Sequence, residues 1–214
     1  MIYKKPLRNL KIALKNLNYK LFFIRINIMK PHIEIEYRAR FDEKKYKELK
    51  KFFELKAKDL GEDNKDVFFF IMPDKLLKVV NNLSKRNAEI VLKLNKIGKG
   101  NDFEEIIIPI EQKYIDRAVR LLTEIKLTDN IMHSFQKRHN YLYKDVELSL
   151  KYSEVWGYHL ELEKVIDDKS KISEAERVLQ DTAKELGIRL MTDEELKEFT
   201  EKAEENYKKR DENS

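Results

Sequence analysis

The sequence predicts an α+β fold: eight mostly sequential strands in an antiparallel sheet that closes, or nearly closes, into a β-barrel with flanking helices. Three observations carry this expectation. Most segments between residues 32 and 166 alternate apolar and polar side chains, the period of a strand whose two faces meet different surroundings. Only two segments within that stretch have a helical period, and turn residues separate the others. After Asp168 the period turns helical and stays so. Sequential strands with few crossovers favour antiparallel pairing, and a sheet this wide removes its exposed edges by closing on itself.

The elements follow in order. Strand one spans about 32–41, and Asp42 caps a helix over about 43–57 with Tyr46, Leu49, Phe52 and Phe53 on its apolar side. A loop around 61–64 leads into strand two, DVFFFIM, which Pro73-Asp74 ends. KLLKVVNNL and AEIVLKLNKI are strands three and four, joined by a polar turn near 84–87. FEEIIIPI is strand five, and YIDRAVRLLTEI is an amphipathic helix. IMHSFQKRHNYLY, KDVELSLKY and GYHLELEKVI are strands six to eight, with Lys144-Asp145 as a tight turn. Two helices close the chain over about 174–186 and 193–208, separated at Gly187. Ser173 with Glu176, and Thr192 with Glu195, have capping-box spacing.

Composition narrows the function classes. The chain has 214 residues, 39% of them charged, with a net charge of +5. Lys and Glu are interspersed rather than clustered, so neither a nucleic-acid partner nor a membrane partner is expected. The absence of cysteine excludes disulfides, thiol catalysis and Cys-based zinc sites, and suits a cytoplasmic protein. Residues 1–28 are basic and carry no acidic residue. They are expected to be an extension without a functional role, with Met29 as an alternative start.

Two Glu-x-Glu pairs, Glu34/Glu36 and Glu161/Glu163, lie on strands that alternate with apolar residues, so each pair shares a face. Carboxylates repeated along one face repel unless cations compensate. The inward register supplies those cations: Arg38, Lys78, Lys93, and Arg138 or its neighbour Lys137. A barrel lined by both signs suits a polyphosphate, because Lys and Arg neutralise phosphate oxygens while carboxylates hold divalent metals bridging them.

These motifs, in this order, resemble the CYTH superfamily, the triphosphate tunnel metalloenzymes, which includes class IV adenylyl cyclases, thiamine triphosphatases and inorganic triphosphatases. Glu34-Ile35-Glu36-Tyr37-Arg38 is similar to the family's ExExK strand. Leu77-Lys78-Val79-Val80 is similar to LRIR, Ile90-Val91-Leu92-Lys93 to LTLK, and Gly157-Tyr158-His159-Leu160-Glu161-Leu162-Glu163 to the closing GxFxEIE strand. Gln136-Lys137-Arg138, leading to Tyr141, looks like the family's basic strand. The resemblance covers about 32–200 and implies a tunnel domain over 29–210. It also implies Mg²⁺ or Mn²⁺ on Glu34, Glu36, Glu161 and Glu163 as the catalytic and metal-binding set. Arg38, Lys78, Lys93, Arg138 and Lys137 would then be the phosphate-binding set, with a small-molecule triphosphate as ligand.

The chain also departs from the family pattern. A metal-binding Asp of the family falls at or near Lys151, the second LRIR arginine at Val80, and the Arg-x-Glu-x-Glu strand is thinned to Phe103-Glu104-Glu105. The expected function is therefore a metal-dependent phosphohydrolase acting on a triphosphate, with a weakly active or non-catalytic binding module, or a class IV-type cyclase, as alternatives. A homodimer is left open. Of His32, His133, His139 and His159, only His159 falls on the inward face, and a structural role is expected for it. Phe68, Phe69, Phe70 and Trp156 are expected to pack in the core or at the barrel rim.

Overall fold

The computed structural model describes residues 33–94 and 102–211. The expected extension over 1–28, Met29 and His32 lie outside the described residues.

Strand β1 (Ile33–Arg40) leads into helix α1 (Glu43–Lys56), whose N-cap Asp42 accepts a hydrogen bond from the Lys45 amide at 2.8 Å. Strands β2 (Lys58–Glu62), β3 (Lys65–Ile71), β4 (Leu76–Asn82), β5 (Asn87–Lys93) and β6 (Asp102–Ile110) follow, then helix α2 (Ile115–Glu124). The long strand β7 (Ile131–Tyr143) precedes β8 (Val146–Ser153) and β9 (Gly157–Ile166), and helices α3 (Ile172–Glu185) and α4 (Asp193–Asp211) end the chain. Lys144 and Asp145, with φ of 48° and 65°, make the expected tight turn between β7 and β8.

All strand pairings are antiparallel, and they form a ring: β7–β3–β4–β5–β6–β1–β9–β8, with β8 returning to β7. Among the described residues there are nine strands rather than the expected eight. The added one, β2, lies in the segment expected to be a helix end and loop. It pairs with the second half of β7 as β3 pairs with the first, Glu62 opposite His139 and Lys65 opposite Gln136. From Gly61 onward both pairings keep one register, after a shift between Asp59 and Gly61, so β2 and β3 act as one long strand interrupted at Asp63-Asn64. KDLGE has no apolar alternation; it is a strand because β7 offers a partner, which is tertiary context overriding local pattern.

Much of the outer face of the ring is apolar, β7 with His133, Lys137 and His139 being the exception, and helices cover two parts of it. Ile33 and Ile35 of β1, Leu148 and Leu150 of β8, and Leu160 and Leu162 of β9 are buried with Leu49 and Phe53 of α1 and Leu179 of α3. Phe70, Leu77, Val79 and Ala88 pack with Ile115 of α2. Strand alternation then sends the intervening residues into the barrel, so covering the outside is what forces charge inward.

Of two local expectations, one is met and one is not. Thr192 and Glu195 form their capping box, Glu195 N donating to Thr192 Oγ1 at 3.2 Å and Thr192 N to Glu195 Oε2 at 3.0 Å. Ser173 does not act as a cap. Asp168 accepts from Ser170 N at 2.9 Å and starts a short 3-10 turn over Lys169–Lys171, so α3 is already under way at Ser173.

Candidate active site

The barrel encloses a cavity of about 300 Å³. Nine acidic and seven basic residues line it, so its charge is nearly balanced and both signs are available to a ligand. Of the expected site residues, Glu34, Glu36, Arg38, Lys78, Lys93, Arg138, Glu161 and Glu163 all line this cavity. Lys137 does not: it is exposed on the opposite face of β7, and alternation selects Arg138.

The register explains how these side chains meet. Glu36 of β1 lies opposite Glu163 of β9, which lies opposite Glu147 of β8, making a carboxylate row across three strands. The next inward row is Arg38, Glu161, Ser149 and Asn140, and the next is Arg40, His159, Lys151 and Arg138.

Ion pairs bind the rows into a lattice. Lys93 Nζ lies 3.2 Å from Glu34 Oε2, 3.2 Å from Glu36 Oε2 and 2.9 Å from Glu105 Oε1. Burial would lower the pKa of Lys93, but Glu36, Glu34 and Glu105 outweigh it and hold the ammonium well above its usual value. Arg38 pairs with Glu36 and, through Nε, with Glu161 at 3.1 Å. Lys151 pairs with the other oxygen of Glu161. Against the burial that would raise it, Lys151, Arg38 and Arg138 keep Glu161 well below the normal carboxylate range.

Four groups stand out from the lattice. Glu163 has no ion-pair partner among the described residues, and burial together with Glu34 and Glu36 pushes its pKa up to about 8. Among the described residues Lys78 finds only Glu105, at 4.0 Å, and burial and Lys93 lower its pKa. Arg38 Nη1 is buried without a hydrogen-bond acceptor. Lys151 is lowered to about 8 by burial, against the pull of Glu161.

His159 has the expected structural role. Its Nδ1 pairs with the Gly157 carbonyl at 3.0 Å, and burial, then Lys151, lower it to about 4, so the ring is neutral above that pH. His133 and His139 pair with Asp66 and Asp59. Phe70 is core and Phe68 stacks on His133, but Phe69 and Trp156 line the cavity. From α4, Thr200 and Glu204 also reach the lining.

Several lining residues have no place in the sequence motifs: Asp63, Lys65, Lys85, Glu89 and Glu147, while Glu105 belongs to the thinned Arg-x-Glu-x-Glu strand. The signal for Glu89 and Glu147 was present, since each is four residues from Lys93 or Lys151 and shares its strand face. No cluster of three or more His, Asp or Glu side chains among the described residues is spaced to hold a metal ion. No helix among them is long and apolar enough to cross a membrane.

No family profile and no curated protein matches the chain. Solved structures do. The PH1012 protein of Pyrococcus horikoshii aligns at TM-score 0.60 and 23% identity, over 73% of this chain and 91% of its own. A candidate adenylate cyclase from Vibrio parahaemolyticus aligns at 0.59 and 14%, over 80% and 99%. A candidate adenylyl cyclase from Hippeastrum, HpAC1, described as having a dominant triphosphatase activity, aligns at 0.51 and 17%, over 74% and 89%. The chain shares the fold of these structures, the fold that its resemblance to the CYTH superfamily implies.

Proposed function

We propose that the tunnel binds the polyphosphate of a triphosphate-bearing small molecule and hydrolyses one of its anhydride bonds with Mg²⁺ or Mn²⁺. The observation that carries this reading is a pair of weakly partnered cations in the cavity: Arg38 Nη1, buried without an acceptor, and Lys78, whose ion pair with Glu105 is as long as 4.0 Å. A buried donor without an acceptor is costly, and a phosphate oxygen is the acceptor these groups fit best. Lys93 and Arg138 would add to the positive field that offsets charge developing on the transferred phosphoryl group.

The donor chemistry suits a divalent cation at one place, although the side chains as they stand are not spaced to hold one. Glu34, Glu36 and Glu163 are hard oxygen ligands, and burial together with Glu34 and Glu36 raises the pKa of Glu163. A bound Mg²⁺ or Mn²⁺ would supply Lewis-acid polarisation of phosphate oxygens. Glu161 fits less well, because Arg38 and Lys151 already occupy both of its oxygens. That same contact favours a second reading, a weakly active or non-catalytic module that binds a phosphorylated ligand. Hydrolysis ranks above cyclisation, since no separate nucleoside pocket accompanies the tunnel in the sequence motifs.

The test is incubation with tripolyphosphate, thiamine triphosphate and ATP, each with Mg²⁺ and with Mn²⁺, following phosphate, pyrophosphate and cyclic nucleotide. Phosphate release that Glu34→Gln abolishes supports the hydrolase. Cyclic nucleotide with pyrophosphate points to the cyclase. Silence with every pair, together with retained binding of tripolyphosphate, moves the assignment to the module.

A further inference from the structure

The interruption between β2 and β3 builds a feature that the family-like motifs do not contain. Asp63, 1% exposed, sits at that joint and gathers three cations. Lys85 Nζ lies 3.0 Å from its Oδ1, and Arg138 Nε and Lys65 Nζ lie 3.1 and 3.4 Å from its Oδ2. Asn82 and Asn140 donate to the same carboxylate at 2.6 and 3.2 Å. With desolvation opposing, Lys65 and Arg138 hold Asp63 far below the usual carboxylate range, so it is ionised at any working pH.

The cluster is rigidly mounted. Asp63 N donates to the Arg138 carbonyl at 2.8 Å, and Arg138 N to Asn64 Oδ1 at 2.9 Å. The turn that carries Lys85 is fastened to the joint by Asn64 N to Ser84 Oγ and Leu83 N to the Asn64 carbonyl, both 2.9 Å. Lys65, Lys85 and Arg138 therefore come from three separate segments and converge on the same stretch of cavity wall. One carboxylate is shared among three cations there. Glu147 approaches Arg138 Nη2 at 3.7 Å, and Glu89, opposite Val80 on the neighbouring strand, makes no ion pair with the trio among the described residues.

We infer that Lys65 and Lys85, positioned with Arg138 by Asp63, form an anion subsite that takes a phosphate group of the tunnel's ligand. The inference rests on the polyphosphate reading of the cavity and deepens it. It assigns phosphate contacts to two lysines outside every motif, on the same wall where Val80 leaves a cation missing. Lys65 lies between Asn82 and Gln136 in the register, so its ammonium is the only charge in its own row of those three strands.

The experiment is calorimetric titration of the full-length protein with inorganic tripolyphosphate, comparing wild type with Lys65→Gln, Lys85→Gln and the double variant. Each substitution removes one charge-assisted hydrogen bond to the ligand and should weaken binding roughly tenfold. Lys65→Arg and Lys85→Arg should restore most of the affinity, which a mere folding defect would not allow. Thermal midpoints of the ligand-free proteins show whether each variant is folded. Wild-type binding that both Gln variants retain within about twofold overturns the subsite while leaving the polyphosphate reading intact, because the lysines would then serve only to neutralise Asp63. Wild type that binds no tripolyphosphate overturns both.

Discussion

Lys93 is the cation on which three carboxylates converge, and Lys93→Met tests the charge lattice most directly. The substitution keeps the aliphatic stem and removes the ammonium that Glu34, Glu36 and Glu105 approach at 3.2, 3.2 and 2.9 Å. Stripping one partner from a buried ion pair costs about 3–5 kcal/mol. The penalty has a ceiling, because an abandoned carboxylate can take up a proton. That escape costs about 1.4 kcal/mol for each pH unit above the normal glutamate pKa of about 4.3, so roughly 5 kcal/mol per carboxylate at pH 8 and roughly 1 at pH 5. In the variant the folded-state carboxylate pKa values lie above their unfolded values, so the folded protein binds more protons and its stability falls as pH rises. At about 2–4 °C per kcal/mol, the thermal midpoint should drop about 10 °C or more at pH 8 and only a few degrees at pH 5. Circular dichroism melts of wild type and variant at both pH values measure this. Mg²⁺ should recover part of the loss at pH 8 by replacing the missing charge. A variant that melts within 2 °C of wild type at pH 8, or that loses as much at pH 5 as at pH 8, would refute the lattice.

Other outcomes follow from the same geometry. Glu163, raised to about 8, keeps its proton at neutral pH and costs stability as it ionises, so its own contribution to stability should decline between about pH 4.5 and 8; Glu163→Gln should make stability fall less, or rise more, with pH over that range in urea unfolding, and an unchanged slope would count against the assignment. Lys78 has its nearest carboxylate at 4.0 Å, so Lys78→Ala should leave the fold intact yet shrink the tripolyphosphate-induced rise in melting temperature; an undiminished rise would place the ligand elsewhere. His159, lowered to about 4, should show neutral-ring nitrogen shifts from pH 8 down to about 5.5, and a titration near 6.5 would show that it is not buried as described; its depressed pKa makes stability rise with pH between about 4 and 6.5. Arg40→Ala removes a guanidinium 3.7 Å from the centre of the Phe199 ring and should lower the melting temperature by about 2–4 °C, about 1 kcal/mol, with no shift counting against the contact.

The parts of the site that were legible in the sequence share one cause. Glu34, Glu36, Arg38, Lys78, Lys93, Glu161 and Glu163 alternate with residues such as Ile35, Val79 and Leu162 that the outer core buries, so strand parity alone turns the charged set inward. Parity fails where both neighbours are basic, as at Lys137-Arg138 on a strand with polar residues on both faces; pairing with β8 decides it by setting Arg138 opposite Lys151. It fails again where direction is set by a joint rather than a strand. Asp63 and Lys85 reach the cavity because of the interruption at 63–64 and the turn fastened to it, and neither has a periodic signature. Lys65 follows the parity of β3 with Val67, Phe69 and Ile71, but the sequence begins that strand one residue later, at Asp66. Strand β2 was hidden for a related reason: its only pairing partner among the described residues is β7, about 80 residues further along the chain, and its own residues have no β pattern.

The charge arithmetic of the cavity bears on how it would load. Its seven cations and nine carboxylates are largely paired with one another, so a charged ligand that reaches beyond Lys78 and Arg38 Nη1 must break ion pairs that already exist. A polyphosphate entering alone competes with Glu36 and Glu161 for Arg38, and faces the uncompensated charge around Glu163. A divalent cation entering alone competes with Lys93 for Glu34 and Glu36. Entering together, each supplies the counter-charge that the other displaces: the phosphate oxygens can accept from Lys93 as it leaves the carboxylates, and the cation can take its place. Polyphosphate and metal should therefore favour each other's binding, and by linkage the coupling is the same in either direction. Lys151 limits how far this exchange can run. Its ammonium holds Glu161 from the side opposite Arg38, so the carboxylates freed by a ligand are those near Lys93 and not Glu161. The region of Glu34, Glu36 and Glu163 would then govern metal-linked activity, while Glu161 keeps Arg38 in position.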